Sequence, residues 1–154
     1  MKAIRLIALA ACMAATLDAS AQEQEIRLFS HRGGRMEHDE NTLSAFQASY
    51  DAGYRGFETD IRMTRDGALV ITHDSSLERT TDGTGTVEEK TEAEIRQLAT
   101  KQGNKMMFLD ELLEFLKGKE GLYVEFEMKT KPVELYPEER LHAYCDKLYD
   151  AVMA

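Results

Sequence analysis

Apolar residues recur along this chain in two rhythms. In residues 25–30, Ile26, Leu28 and Phe29 form a short run that stops at a polar, glycine-rich turn, as a short strand would. Leu43, Phe46 and Tyr50 then fall at helical spacing, with Asn41 or Thr42 placed to cap the helix and Gly53 to end it. Residues 56–61 are strand-like again, so strand, helix, strand predicts a βαβ unit and a parallel sheet. Asp66-Gly67 sits between the apolar runs 61–64 and 68–72, a tight hairpin signal. It predicts a β excursion that leaves the second strand and returns His73 towards it; the alternative is that 68–72 is an independent strand of the sheet. Residues 75–90, rich in Thr, Gly and Ser, read as loop. Thr91 and Glu94 form a capping box for a short helix through Leu98. A helix over 109–117 with Gly118 at its end, a strand over 122–128 and a final helix opened by Pro137 complete the pattern. In that last helix Leu141, Tyr144, Cys145, Leu148 and Val152 make an apolar stripe.

The alternation of strands and helices indicates an α/β fold. Before it stands a different kind of segment. Lys2 and Arg5 precede an apolar run over residues 6–17, and Ala19-Ser20-Ala21 follows as a small-residue cleavage site. This reads as a signal peptide cleaved after Ala21, so residues 1–21 are a leader and the protein is exported, periplasmic or secreted. The run is too short to span a membrane. Leu9-Ala10-Ala11-Cys12 also resembles a bacterial lipobox, which would make Cys12 a lipidated residue, and an ordinary buried helix is the remaining alternative. About 130 residues are left, roughly half of a (β/α)8 barrel. The fold expected is therefore an N-terminal portion of a TIM barrel with a small β-hairpin insertion over residues 22–154.

Removal of the leader leaves Cys145 as the only cysteine, which excludes an internal disulfide; its place in the stripe predicts a packed thiol. The net charge of −9 becomes −10 once Lys2, Arg5 and Asp18 are gone. Such a surface repels nucleic acid but does not oppose a small phosphodiester bound locally.

Candidate chemistry gathers at the strand ends. Glu58 and Asp60 are two apart on a strand and so point to one side. Paired carboxylates repel unless a cation lies between them, and a hard divalent ion, Ca²⁺ or Mg²⁺, suits oxygen ligands. Two solvated acids on an edge strand is the alternative; flanking Gly56, Phe57 and Ile61 argue for burial. Residues 123–129 alternate strictly, with Val124, Phe126 and Met128 on one side and Tyr123, Glu125, Glu127 and Lys129 on the other. The polar side offers either a third ligand and a cation for a phosphate or simply a solvated face. His31 and His73 each follow a strand and can act as general base and acid. Arg32 has the forked donors that fit a phosphate; Arg79 is a possible second, or a solvated loop arginine. His38 and His142 receive no role.

At this point the residues resemble the glycerophosphodiester phosphodiesterase family of TIM-barrel phosphodiesterases. The matching elements run in order. They are His31-Arg32-Gly33, Glu40-Asn41-Thr42 with Phe46 and Ala48, Gly56-Phe57-Glu58-x-Asp60-Ile61, and Thr64-x-Asp66-Gly67. Val70-Ile71-x-His73-Asp74 follows, then Leu77-x-Arg79-Thr80-Thr81-x-Gly83, Leu109-x-Glu111-Leu112-Leu113 and Glu127-x-Lys129. The resemblance implies hydrolysis of a glycerophosphodiester to glycerol 3-phosphate and an alcohol. It implies His31 and His73 as the acid/base pair and one divalent cation on Glu58, Asp60 and Glu127. Arg32 and Lys129 would contact the phosphate, and Glu40 and Asn41 would support the first loop. Two departures stand out: Asp39 replaces the proline usual before Glu-Asn-Thr, expected to change the stiffness of the loop more than its chemistry, and Glu125 stands where a neutral amide is common; it shares a face with Glu127, which leaves the third ligand between the two, with Glu127 favoured by Lys129. A relative acting on another lipid-type diester and an inactive binding module are the alternatives.

Overall fold

The computed structural model describes residues 27–154; the expected leader, the lipobox-like Cys12 and the start of the first strand lie outside these residues. Four strands form one mixed sheet: β1 (Phe29–His31), β2 (Gly56–Met63), β3 (Leu69–Ile71) and β4 (Tyr123–Met128). Helices α1 (Leu43–Asp51), α2 (Glu92–Ile95), α3 (Leu109–Leu116) and α4 (Glu138–Met153) alternate with them. β2 is the strand that the others share. β1 pairs with its first half and β4 with Gly56 to Ile61, both parallel, while β3 pairs antiparallel with Ile61–Met63. The Glu58 carbonyl accepts from Arg32 N and the Asp60 carbonyl from Thr72 N, so β1 and β3 follow one another along one edge of β2. Ile61 O accepts from Lys129 N on the opposite edge. This is an incomplete (β/α) barrel: parallel strands linked by helices, interrupted by the hairpin excursion that Asp66-Gly67 signalled.

Local chemistry explains most boundaries. Thr42, not Asn41, caps α1, accepting from Ala45 N, and Gly53 ends it at φ +95°. Thr91 and Glu94 make the reciprocal capping box of α2, which stops at Ile95 rather than reaching Leu98. β1 starts later than the pattern implied and runs one residue further, because pairing with β2 begins at Phe29↔Gly56 and ends at His31↔Glu58.

The segment read as loop over residues 75–90 is more ordered than its composition suggested. Leu77 and Val87 are buried, and a short 3-10 turn spans Val87–Glu89. Together with Ala68, Val70, Ile95, Met106 and Phe108 they close a small second core above the hairpin. The main core lies between the sheet and the helices and includes Phe46, Phe57, Ile61, Leu112, Phe115, Tyr144 and Leu148.

The stripe of α4 is only partly buried. Tyr144 and Leu148 pack inward, and the Tyr144 hydroxyl donates to Ile61 O. Cys145 and Val152 are exposed, which corrects the expectation of a packed thiol: α4 turns its 144/148 edge to the sheet and leaves the 145/152 edge outside. Among the described residues no helix is long and apolar enough to cross a membrane.

Gly56 is required by close approach. Phe29 and Tyr123 flank it in register and meet edge to face at 5.2 Å, and a Cβ at position 56 would lie 2.4 Å from Leu28 O. Gly56→Ala is expected to destabilise by about 1–3 kcal/mol, the cost of overpacking, read as a lowered urea midpoint at unchanged m-value.

Candidate active site

Strand alternation puts Gly56, Glu58, Asp60 and Arg62 on one face of β2 and sends Phe57 and Ile61 into the core behind. Across the parallel register Glu58 faces Glu125, and Asp60 faces Glu127. Glu58, Asp60 and Glu127 offer carboxylate oxygens that all lie within 4.8 Å of one another. The carboxylate of Glu125 is not among them, so the structure brings Glu127 to the pair. The Asp60 side chain is fully buried, that of Glu58 is 12% exposed and that of Glu127 52%.

The loop after β1 closes over this cluster through two strained residues. Arg32 and Asn41 both adopt left-handed backbone, φ +54° and φ +58°, a conformation that costs energy in non-glycine residues and collects at functional sites. The turn lets Arg32 N donate both to Glu58 O (3.0 Å) and to Glu58 Oε2 (3.1 Å). Asn41 Nδ2 donates to Asp60 Oδ2 at 2.9 Å, while Arg32 Nε lies 3.1 Å from the same oxygen. Arg32 Nη1 donates to Glu40 Oε1 at 3.2 Å. Lys129 Nζ sits 2.6 Å from Glu127 Oε1 and 3.1 Å from Asp60 Oδ1.

These cations do not fully satisfy the acids. Glu58 Oε1 is buried without a hydrogen bond, and Asp60 Oδ1 is buried with only the Lys129 ammonium beside it. Burial and the adjacent Asp60 charge push the Glu58 carboxyl up to about 7. Lys129 loses stability as an ammonium through burial, but its contacts with Glu127 and Asp60 more than offset that and hold its pKa above the usual lysine value. An orphaned buried carboxylate oxygen in an all-oxygen donor set fits a hard divalent cation.

His31 ends β1 with Nε2 3.5 Å from Glu58 Oε2, and its ring is half exposed. Burial and the neighbouring Arg32 lower its pKa, and the His73 charge is near enough to add to that shift. His73 Nδ1 is 2.6 Å from Asp74 Oδ1. Asp74 Oδ2 takes a short bond from Arg79 Nε, and Arg79 forks onto both Glu40 oxygens at 3.0 and 2.7 Å. Burial raises the Asp74 carboxyl, but its bonds from Arg79 and His73 outweigh this and bring it to about 2.

All eight strand and loop residues singled out in the sequence besides His73 therefore meet around one cluster: His31, Arg32, Glu40, Asn41, Glu58, Asp60, Glu127 and Lys129. His73 joins through the chain Asp74, Arg79 and Glu40. Arg79 is not a solvated loop arginine: each of its three nitrogens donates to a carboxylate, of Asp74 or of Glu40. Asp39 also does more than alter the stiffness of the loop: its Oδ2 accepts from Asn104 Nδ2 at 2.8 Å and from Thr100 Oγ1, tying the first loop to the turn between α2 and α3.

One network was not anticipated. Arg62, buried on the same face as Asp60, donates to Glu88 Oε1 (2.7 Å), Lys131 O (2.8 Å) and His73 O (2.9 Å). Glu88 also accepts from Tyr136 Oη (2.7 Å) and Ser75 Oγ (2.6 Å). A buried ion pair is tolerable when its remaining bonds are met in this way. The only signal in the sequence was the even spacing of Arg62 with Glu58 and Asp60; Glu88 lay in a stretch that read as loop.

A family model for the glycerophosphoryl diester phosphodiesterase family matches residues 31–151. The chain belongs to this family. It is 37% identical over 123 residues to the glycerophosphodiester phosphodiesterase of Caldanaerobacter subterraneus, which covers 74% of this chain and 50% of that protein. Among solved structures, the glycerophosphodiester phosphodiesterase of Agrobacterium tumefaciens superposes with a TM-score of 0.65 at 28% identity, over 80% of this chain and 63% of that one. A phosphodiesterase from Oleispira antarctica, solved with its product sn-glycerol-3-phosphate, gives 0.68 at 30% identity, over 80% and 52%. The chain spans about half the length of the curated relatives that it matches. In the family's barrel architecture, strand C-terminal ends carry the chemistry; here His31 ends β1 and Glu127 lies next to the last residue of β4, while Glu58 and Asp60 lie within β2.

Glu58 generates a measurable pH effect. Its folded-state pKa is raised from 4.5 to about 7, so the stability it contributes is fully present below 4.5 and is lost as pH rises through 7. In chelator, the thermal midpoint is expected to fall between pH 5 and pH 8, and Glu58→Gln should flatten this slope. An unchanged slope in the variant would show that Glu58 is not the group responsible.

Proposed function

We propose that this protein hydrolyses glycerophosphodiesters to glycerol 3-phosphate and an alcohol, with a divalent cation, Ca²⁺ or Mg²⁺, bound by Glu58, Asp60 and Glu127. The observation that carries this reading is the convergence of three carboxylates, with Glu58 Oε1 buried and unpartnered, beside His31. A cation held there supplies charge neutralisation for the phosphoryl oxygens and lowers the pKa of an attacking hydroxyl or water.

The rest of the chemistry falls to the chain. Lys129 and Arg32 set the positive potential that draws a phosphodiester into an otherwise acidic cluster, Lys129 as a compact ammonium and Arg32 as a planar fork. His31, kept below the usual histidine pKa by burial and Arg32, stays neutral near pH 7 and serves as the base that takes the nucleophile's proton. His73 is the acid. Asp74 engages its Nδ1, which leaves Nε2 as the atom that can meet the departing alkoxide. The nucleophile is either the substrate's glycerol hydroxyl, through a cyclic phosphate, or water. Asn41 and Glu40 hold the first loop in the conformation that this arrangement needs. The signal-peptide pattern in the sequence of residues 1–21 supports export, so glycerophosphodiesters outside the cytoplasm are the substrates proposed.

Glycerol 3-phosphate release from glycerophosphocholine, followed with Ca²⁺, with Mg²⁺ and with chelator, tests the reading. Release should require the metal, and His31→Ala or His73→Ala should lower kcat by about 10²–10⁴-fold. Independently of turnover, Ca²⁺ or Mg²⁺ should raise the thermal midpoint at pH 8, and Asp60→Asn should abolish the shift. Release that persists in chelator or survives His73→Ala would overturn the assignment.

A further inference from the structure

The chain of contacts between His73 and the first loop gives Arg79 a role of its own. The His73 backbone is fixed from beneath, because Arg62 Nε donates to its carbonyl and Ser75 Oγ donates to Glu88. What remains free is the rotation of the imidazole. Asp74 restrains it at Nδ1, but Asp74 is itself a short side chain on a loop, with 26% of its surface exposed. Its second oxygen is held by Arg79 Nε. Arg79 uses its other two nitrogens on Glu40, a residue 39 positions earlier in the chain, whose Oε1 also accepts from Arg32 Nη1. Arg32 in turn lies against Asp60. Alternating charges thus link Asp74, Arg79, Glu40, Arg32 and Asp60 without a break, with the His73 ring at one end.

We infer that Arg79 is a positioning residue: by forking between Asp74 and Glu40 it locks the His73 imidazole with its Nδ1 proton on Asp74 and couples that ring to the loop that covers the acidic cluster. This role rests on the reading of His73 as the acid. Each of the three Arg79 nitrogens donates to a carboxylate, which is the geometry of a support for His73. A lysine cannot replace it, because one ammonium does not reproduce two parallel bonds to Glu40 and a third to Asp74.

The chain has four histidines, so their ring nitrogens can be resolved by long-range ¹H–¹⁵N NMR, with His73 assigned from His73→Gln. In the unaltered protein without substrate, at a pH high enough for the ring to be neutral, His73 should show one dominant tautomer, protonated at Nδ1. Arg79→Gln should average its two nitrogen shifts towards a mixed tautomer while the remote, exposed His142 stays unchanged, and Arg79→Lys should recover only part of the pattern. In the turnover assay Arg79→Gln should lower kcat about 10- to 100-fold, as loss of an outer supporting partner does, with KM near its original value. Arg79 is half exposed, so its removal should leave the thermal midpoint within a few degrees, and Glu40→Gln gives the same spectral comparison from the other end of the link. An unaltered His73 tautomer in Arg79→Gln and Glu40→Gln would overturn the role, as would a rise in KM at constant kcat. The tautomer is read without substrate, so failure of the Arg79 role is distinguishable from failure of the phosphodiesterase reading itself.

Discussion

Like-charge repulsion on β2 governs this molecule. Glu58 and Asp60 are two residues apart on the central strand, on one face, and Asp60 is wholly buried. Two carboxylates so placed destabilise the fold unless something of opposite charge or a proton sits between them. Three protein cations or donors answer the problem in part: Arg32, Asn41 and Lys129 converge on Asp60, and Glu58 retains a proton up to about 7. What they leave over, a buried Glu58 oxygen without a hydrogen bond and an Asp60 oxygen met by Lys129 alone, is the capacity of the site to take up a further cation.

Much of the surrounding architecture follows from that strand. Its apolar face must be covered, and α1, α3 and α4 cover it with Phe46, Phe115 and Tyr144. Its polar face must be approached closely by the first loop, which requires left-handed backbone at Arg32 and Asn41. Its far end pairs with β3 rather than with another parallel strand, and this hairpin delivers His73 to the same end as the acids. The small second core behind the hairpin then has a purpose beyond stability. It carries Asp74, Arg79 and Glu88, which immobilise His73 from two directions.

Burial and charge also separate the two histidines. His31 stands on a strand end, half exposed, with a cationic neighbour that disfavours its protonation. His73 stands on a loop, flanked by a carboxylate and supported through its carbonyl by a buried guanidinium. Residues of one type thereby stand in different electrostatic surroundings, and the difference comes from their neighbours rather than from the rings.

Residue periodicity alone determined the elements: alternation in 123–129 showed which side of β4 is polar, Asp66-Gly67 marked the hairpin, and Thr91 with Glu94 marked a helix start. The ordered motifs also named the acids and histidines, because these side chains lie within a few residues of strand ends whose direction the pattern reveals. Three things were decided only by tertiary structure. The choice of Glu127 over Glu125 depended on register, since both share a face and only pairing places Glu127 opposite Asp60. The burial of Arg62 and Glu88 depended on contact between residues 26 apart, which no local pattern encodes. The exposure of Cys145 depended on how α4 rolls against the sheet, a rotation that a broad apolar stripe leaves open. Local pattern reports what a residue can face; only packing between distant segments decides what it does face.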